Sequence, residues 1–350
     1  MLYTRILRSP LLLMLSLLLL AGGARAERPR DYAKELGPAY TRLDQRDYAR
    51  AYPLFQRRAA TNPLAQFTLG LFNQNGWGRP VDSTAACAWF AKAALRRIPA
   101  AQHLHGDCLM RTPDAPGNAE AALASYLDAA KGSHYISLCS AAELLIHGRG
   151  VPRDVPRGLA LCTQGAQSNA PPAMLRLALF LSDDADVAPN LPLARGWFER
   201  AAKAGLTEAR FRLAIMQSQG DGGEVDRDAA LLGMESLAAE GYGPAYLPTA
   251  VMYANQPAQA DTGALCAAQL AKAYLWASAA KASLRDPARL ASTEQLLASV
   301  LAIMPPEWRP ELDRKVGAHL AKFAATTSPP APSSAVPPPL SRANSASPGA

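Results

Sequence analysis

Alanine recurs along this chain at a fixed interval of 36 residues: Ala65, Ala101, Ala173, Ala209 and Ala245 fall on one ruler, and Ser137 holds the mark between Ala101 and Ala173. Around these marks apolar residues return at helical spacing. In AQFTLGLFNQNGWG, the stretch that begins at Ala65, the apolar face is Ala65, Leu69, Gly70 and Phe72. Gly76 and Gly78 then stop the helix, because a helix end often adopts a left-handed backbone that glycine enters without a Cβ clash. Asp82 reads as the N-cap of a second helix, its carboxylate accepting from the first free N–H groups. Ala86, Trp89, Ala93 and Ala94 lie on that second helix. The alanines allow two helices to approach closely, and Trp89 is expected to fill the space beside them. Trp197 holds the same mark in a later unit, so both rings are expected in the core.

The other units repeat this grammar unevenly. The second, from Ala101, keeps Gly106, Ala122, Ala129 and Ala130. The third, from Ser137, keeps Gly148, Gly150, Val151 and Asp154. The fourth, from Ala173, loses the loop glycines but keeps Leu177, Ala194, Trp197, Ala201, Ala202 and Gly205. The fifth, from Ala209, carries Leu213, Gly220, Gly222, Asp226, Ala230, Ala238 and Gly241. In the sixth, from Ala245, the second helix is expected about seven residues late, as AYLWASAA from Ala273, with an insertion near Asn255–Thr262. A period of this size is the signature of a stacked helical array, in which each unit contacts only its neighbours and the product is an extended binding surface.

Summed over the units, Ala, Leu-Gly, Gly-x-Gly-Val, Asp, Ala-x-x-Trp, Ala-Ala and a closing Gly resemble the Sel-1-like repeat family, a relative of the tetratricopeptide repeats. The resemblance covers roughly residues 38–282, and MPPEWRPELDRKVGAHLAKF resembles the capping helix of such arrays. It implies an all-α, right-handed α-solenoid of antiparallel helix pairs, a scaffold role, and no shared catalytic residues. The expected organisation is a signal peptide at 1–26, a degenerate N-terminal helix pair at 27–63, an array of about six units at 64–287, capping helices at 288–323 and a tail at 324–350.

The two ends differ in kind from the array. Arg5 and Arg8, the apolar run Leu11–Leu20 and the small-x-small sequence Ala24-Arg25-Ala26 make a cleavable targeting segment, too short to be an ordinary membrane span. No Cys follows the cleavage site, which speaks against a lipid anchor, so the mature protein is expected to begin at Glu27 and to be periplasmic or secreted. From Ala325 the chain is almost all Pro, Ser, Ala and Thr, a composition that cannot bury enough apolar surface to offset chain entropy and is expected to stay disordered.

The formal charge is +7, and removing Arg5, Arg8 and Arg25 leaves 7 − 3 = +4. That falls short of the clustered charge of a nucleic-acid binder. Arg176, Arg210 and Arg212 sit on first helices of adjacent units. They read either as a basic patch for an acidic partner or as a solvated face. Trp77, held between Gly76 and Gly78, reads either as a ligand anchor at the loop edge or as a ring folded back over its own turn. Stable membrane insertion after cleavage is not expected.

Five cysteines are present: Cys87, Cys108, Cys139, Cys162 and Cys266. In an oxidising compartment they can pair. The midpoint of Cys139 and Cys162 falls at the Gly148–Gly150 turn, and that of Cys87 and Cys108 at the turn near Ile98. Both pairs are therefore candidate disulfides, the alternative being free buried thiols. Cys266 is left over. Cysteine-rich relatives of the family, linked to penicillin binding, bridge neighbouring helices at an Ala-Cys position. Here that position holds Ala94, Ala130, Ala166, Ala202 and Ala238, so the likeness to that branch is weak. His103, His105 and Cys108 form an H-x-H-x-x-C string, but residues two apart on a helix point away from each other, so no metal site is expected. No phosphate-cradling loop and no nucleophile-and-base set appears. No cofactor and no enzymatic activity is expected. The favoured function is a scaffold for a protein partner in a bacterial envelope process such as signalling, envelope assembly or exopolysaccharide machinery. The alternative is a cell-wall-directed enzyme or glycan binder, such as a beta-lactamase-like hydrolase.

Overall fold

The computed structural model describes residues 31–259 and 265–324. The expected targeting segment at 1–26, the tail from 325 onward and part of the sixth-unit insertion lie outside the described residues. Among the described residues every regular element is a helix. A short α1 (Tyr32–Glu35) leads into the pair α2 (Gly37–Asp44) and α3 (Tyr48–Arg58). Six further pairs follow: α4 (Pro63–Asn75) with α5 (Ser83–Leu95), α6 (Pro99–Leu109) with α7 (Asn118–Lys131), and α8 (Ile136–His147) with α9 (Val155–Gln167). Then come α10 (Pro171–Ser182) with α11 (Leu191–Lys203), α12 (Thr207–Gln219) with α13 (Arg227–Ala239), and α14 (Tyr246–Ala254) with α15 (Ala267–Ser283). Two longer helices, α16 (Pro287–Ile303) and α17 (Arg309–Ala324), close the described chain. Through α15 each helix packs on its partner and on the next helix along the chain, α16 and α17 both pack on α15, and first helices also meet, as α8 does α10. The result is an all-α solenoid.

What holds a pair together is a match of sizes five and 25 residues past each ruler mark. The position at 25 holds Phe90, Tyr126, Cys162, Phe198 and Met234, all buried. Opposite, five past the mark, stand Gly70, Gly106, Ala142, Ala178 and Ala214. A Cβ on Gly70 would lie 2.4 Å from the Phe90 ring, and one on Gly106 would lie 2.6 Å from the Tyr126 ring. Where the facing side chain is Cys162, the small residue moves to Gly158, whose Cβ would meet Ile146 at 2.7 Å. Packed interiors leave no slack for an extra methyl group at such contacts.

The turns are equally regular. Asp82, Asp154, Asn190 and Asp226, each 17 past its mark, cap α5, α9, α11 and α13 by accepting from the N–H three residues on. Their own N–H groups reach back to the first helix, donating to the carbonyls of Asn73, Leu145, Leu181 and Gln217 at 2.7–2.9 Å. Asn190 is a cap that the sequence reading passed over. Between units the chain turns through one left-handed residue, always 32 past the mark: Arg97, Ser133 and Asn169 at φ 59°, 68° and 56°, then Gly205 and Gly241 at 88° and 86°. Only the last two carry the residue that enters this region without strain.

Two expectations need correction. Trp89 is half-buried, not a core equivalent of the buried Trp197. The side chain that fills the core is its neighbour Phe90, 2% exposed, while Lys92 lies over the outer face of Trp89, 4.4 Å from the ring centre. The second helix of the sixth unit begins at Ala267, earlier than the Ala273 motif. It starts 22 residues after Ala245, against 18 for Ser83 after Ala65, so the extra residues are shared between the connection and an added turn of α15. At the end of the chain, Tyr246 stacks on Trp276 and His319 of α17 meets both rings edge-on, drawing α17 onto the same core cluster.

Two disulfides staple the array. Cys139–Cys162 joins the helices of one pair, α8 and α9, with Cα atoms 4.2 Å apart; Cys87–Cys108 crosses from α5 to α6, from one unit to the next, with Cα atoms 5.7 Å apart. Cys266 is half-buried and outside any disulfide.

Phe90→Ala is expected to cost about 3–5 kcal/mol, as large aromatic truncations in cores do. Trp89→Ala is expected to cost less than Phe90→Ala because part of that ring stays in water. Urea unfolding of the two variants followed by circular dichroism checks the ranking. Exposure also predicts the order of reduction: Cys139 and Cys162 are fully buried and Cys87 and Cys108 only partly so. A mild reductant acting on the folded protein should therefore free Cys87 and Cys108 first, which timed alkylation and peptide mass mapping would register.

Candidate functional site

The first helices of units two to four build two adjoining depressions. The larger, about 450 Å³, lies between α6 and α8 and is lined by Asp107, Met110, Tyr126, Glu143, Leu144 and Arg149 among others. The smaller, about 260 Å³, lies between α8 and α10 and is lined by Glu143, His147, Arg176, Leu179, Phe180 and the pair Asp183–Asp184. Glu143 belongs to both, so the two depressions are consecutive segments of one groove. Its floor is apolar, with Tyr126, Leu144 and Phe180 buried. Its rim is charged.

That charge is of both signs. Arg176 pairs with Glu143, one unit earlier, and its guanidinium lies 5.4 Å from the centre of the Phe180 ring. Arg212, at the equivalent mark of the next unit, donates to Asp183 at 2.9 Å and to Glu208 at 2.8 Å. Arg210 forks onto both oxygens of Glu240 at 2.7 Å and holds that carboxyl down to about 2. The three arginines are thus each matched with a carboxylate of their own chain, and Arg210 turns toward the end of α13 rather than along the groove. Trp77 stacks on Tyr48 at 6.0 Å between ring centres and meets Phe72 edge-on, packing against the preceding helix pair.

The His103–His105–Cys108 string is split up. Cys108 is in a disulfide, and the Nδ1 atom of His105 is buried without a hydrogen-bond partner. His103 joins a polar network at the joint between units two and three. Its Nδ1 lies 3.0 Å from Ser137 Oγ, and Nδ1 of His134 lies 2.7 Å from the same oxygen. Nε2 of His103 lies 3.6 Å from Asp107, whose other oxygen accepts from the Tyr126 hydroxyl at 2.8 Å. A hydroxyl has one proton to give, so Ser137 donates to one imidazole and accepts from the other. Asp107 favours the Nε2–H form of His103. Ser137 therefore donates to His103 and His134 donates to Ser137, an assignment that leaves both rings neutral. Ser137 stands where other units carry the ruler alanine, and that departure was the signal in the sequence for this network.

Burial lowers the pKa of both rings, and for His134 the charge that His103 would carry adds to the effect, bringing it to about 4. The unfolded chain, with histidine near 6.5, binds its proton first as pH falls. The contribution of the network is therefore complete above about pH 6.5 and is lost progressively toward pH 4. The melting temperature should fall over that window, and His134→Gln should flatten the fall; thermal scans of both proteins from pH 7.5 to 4 measure it.

With the geometry in place, the kinship is clear. The Sel1 repeat family matches at residues 63–96, 137–169, 171–206 and 207–232. These segments coincide with the pairs α4/α5, α8/α9 and α10/α11 and with most of α12/α13. A comparison with curated proteins found no match. Among solved structures, a protective antigen of uropathogenic Escherichia coli that displays the SLR fold is 18% identical with a TM-score of 0.62, covering 86% of this chain, while this chain spans 65% of that antigen. A Sel1 repeat protein from Oxalobacter formigenes is 20% identical with a TM-score of 0.57, covering 71% of this chain and all of its own. Proteins built from Sel1 repeats act in general as scaffolds for protein–protein interaction and are typically non-catalytic. Four matched repeats and the shared solenoid make this chain a Sel1-like repeat protein.

Proposed function

We propose that this chain is a periplasmic or secreted scaffold that holds a protein partner of a bacterial envelope process along the groove between α6 and α10. The observation that carries the reading is the continuity of the groove: two cavities share Glu143 as a common wall, with an apolar floor and a rim of paired charges. Such a surface suits an extended protein segment that sets apolar side chains on Tyr126, Leu144 and Phe180 and exchanges hydrogen bonds with the rim. Arg176, which lines the groove, and Arg212, which stands at the same mark of the next unit and meets Asp183 of the rim, are the candidate arginines for contacting it. Two disulfides support an oxidising compartment, and among the described residues no helix is long and apolar enough to cross a membrane. The hydrolase alternative draws no support from the Ser137–His103–Asp107 arrangement, since Ser137 is fully buried and out of reach of a substrate.

A photo-cross-linking amino acid at Leu179, inside the groove, should capture an envelope protein in living cells. The same group at Leu95 or Leu232, exposed on second helices, should not. Cross-links confined to Leu95 or Leu232 would move the partner to the other face of the solenoid.

A further inference from the structure

In the units that keep the loop pattern, the residues 11 and 13 past the ruler mark are glycines with positive φ: Gly76 and Gly78, Gly148 and Gly150, Gly220 and Gly222. In the fourth unit both are aspartates, Asp184 and Asp186, and neither takes a left-handed backbone. The two carboxylates converge on one imidazole, that of His147 at the end of α8 in the preceding unit. Asp184 Oδ2 lies 3.3 Å from Nε2 and Asp186 Oδ2 lies 2.8 Å from Nδ1. One donor atom from each of the three residues falls within 4.8 Å of the other two.

The outer oxygens of both carboxylates are held in place. Asp184 Oδ1 accepts the N–H of Asp186 at 2.9 Å, and Asp186 Oδ1 accepts from Arg153 at 2.9 Å. Each carboxylate therefore has one oxygen fixed by the protein and one turned to the imidazole, the arrangement in which supporting hydrogen bonds orient metal-binding carboxylates. Asp184 and His147 are largely shielded, their side chains 13% and 21% exposed. No other grouping of three such residues occurs among the described residues.

We infer that His147, Asp184 and Asp186 form a binding site for a divalent first-row transition-metal ion that links units three and four at the rim of the groove. One imidazole nitrogen and two carboxylate oxygens suit Zn²⁺ better than Ca²⁺, which takes six to eight oxygen ligands. Because the two carboxylates stand at opposite ring nitrogens, the ion takes one nitrogen together with the carboxylate beside it, and the second carboxylate swings from the other nitrogen to complete the set. Three protein ligands leave Zn²⁺ an open position. His147 and Asp184 also line the smaller cavity, so a water or a donor from outside the chain has room to complete the coordination.

The test is calorimetric titration of the disulfide-intact protein with ZnCl₂ after chelator treatment and dialysis, with CaCl₂ as the comparison. The expected result is one Zn²⁺ per chain, a melting temperature that rises with Zn²⁺, and at least tenfold weaker binding of Ca²⁺. Asp184→Asn with Asp186→Asn, which keeps the shape of the loop, and His147→Ala should each remove that site. His134→Gln, in the other histidine network, should retain it. If the wild-type protein binds no Zn²⁺, or binds it equally after the aspartate replacements, the cluster is an imidazole clamped between two carboxylates and the inference fails. The aspartate variant keeps the test decisive even where His147→Ala does not fold.

Discussion

The whole molecule rests on how closely two helices of a pair can approach. In units one and two one helix presents Gly and the other an aromatic ring that occupies the space so released, and in units three to five the same two marks are small on one helix and buried on both. The arrangement tolerates chemistry but not volume. Phenylalanine, tyrosine, methionine and even a disulfide half serve at the large position, provided that the opposing mark stays small. Because this contact is made inside each unit, every unit brings much of its own core, and stacking then buries what remains. The caps and the left-handed turns do not supply the energy of the fold. They set the angle at which one pair hands the chain to the next.

This explains what could be read from the sequence. The ruler was legible because its marks are fully buried and allow so few residues: alanine recurs there by identity. The facing position was hidden because Phe90, Tyr126, Cys162, Phe198 and Met234 share only burial, and Trp89 drew attention by its bulk while its neighbour did the packing. The turns between units were half legible. Gly205 and Gly241 announced them, whereas Arg97, Ser133 and Asn169 take the same backbone shape without the residue that signals it. The groove was least legible. Glu143, which meets Arg176, and Asp183, which meets Arg212, stand 33 and 29 residues away in the chain, a spacing that becomes contact only once the units are stacked.

The electrostatics of the groove bear on how it recognises a partner. Its lining carries four carboxylates, Asp107, Glu143, Asp183 and Asp184, against two arginines, Arg149 and Arg176, so the surface has only a modest acidic bias with which to steer an incoming chain. Recognition of this kind depends on shape and on the exchange of short contacts once the partner has arrived. The half-buried histidine pair of His103 and His134 and the His147 cluster both straddle joints between units.

The disulfides give the solenoid a direction. Both lie in the first three units, one inside a pair and one across a joint, while α10 to α17 have no such link among the described residues. In an array coupled only between neighbours, covalent links protect the stretch they span and little beyond it. Partial denaturation is therefore expected to begin in the C-terminal half, with units one to three, which hold both disulfides, as the more resistant block. That block carries the larger cavity whole and half the wall of the smaller one. A partner seated across the boundary would feel the loosening of the distal units as a loss of grip long before the proximal ones came apart.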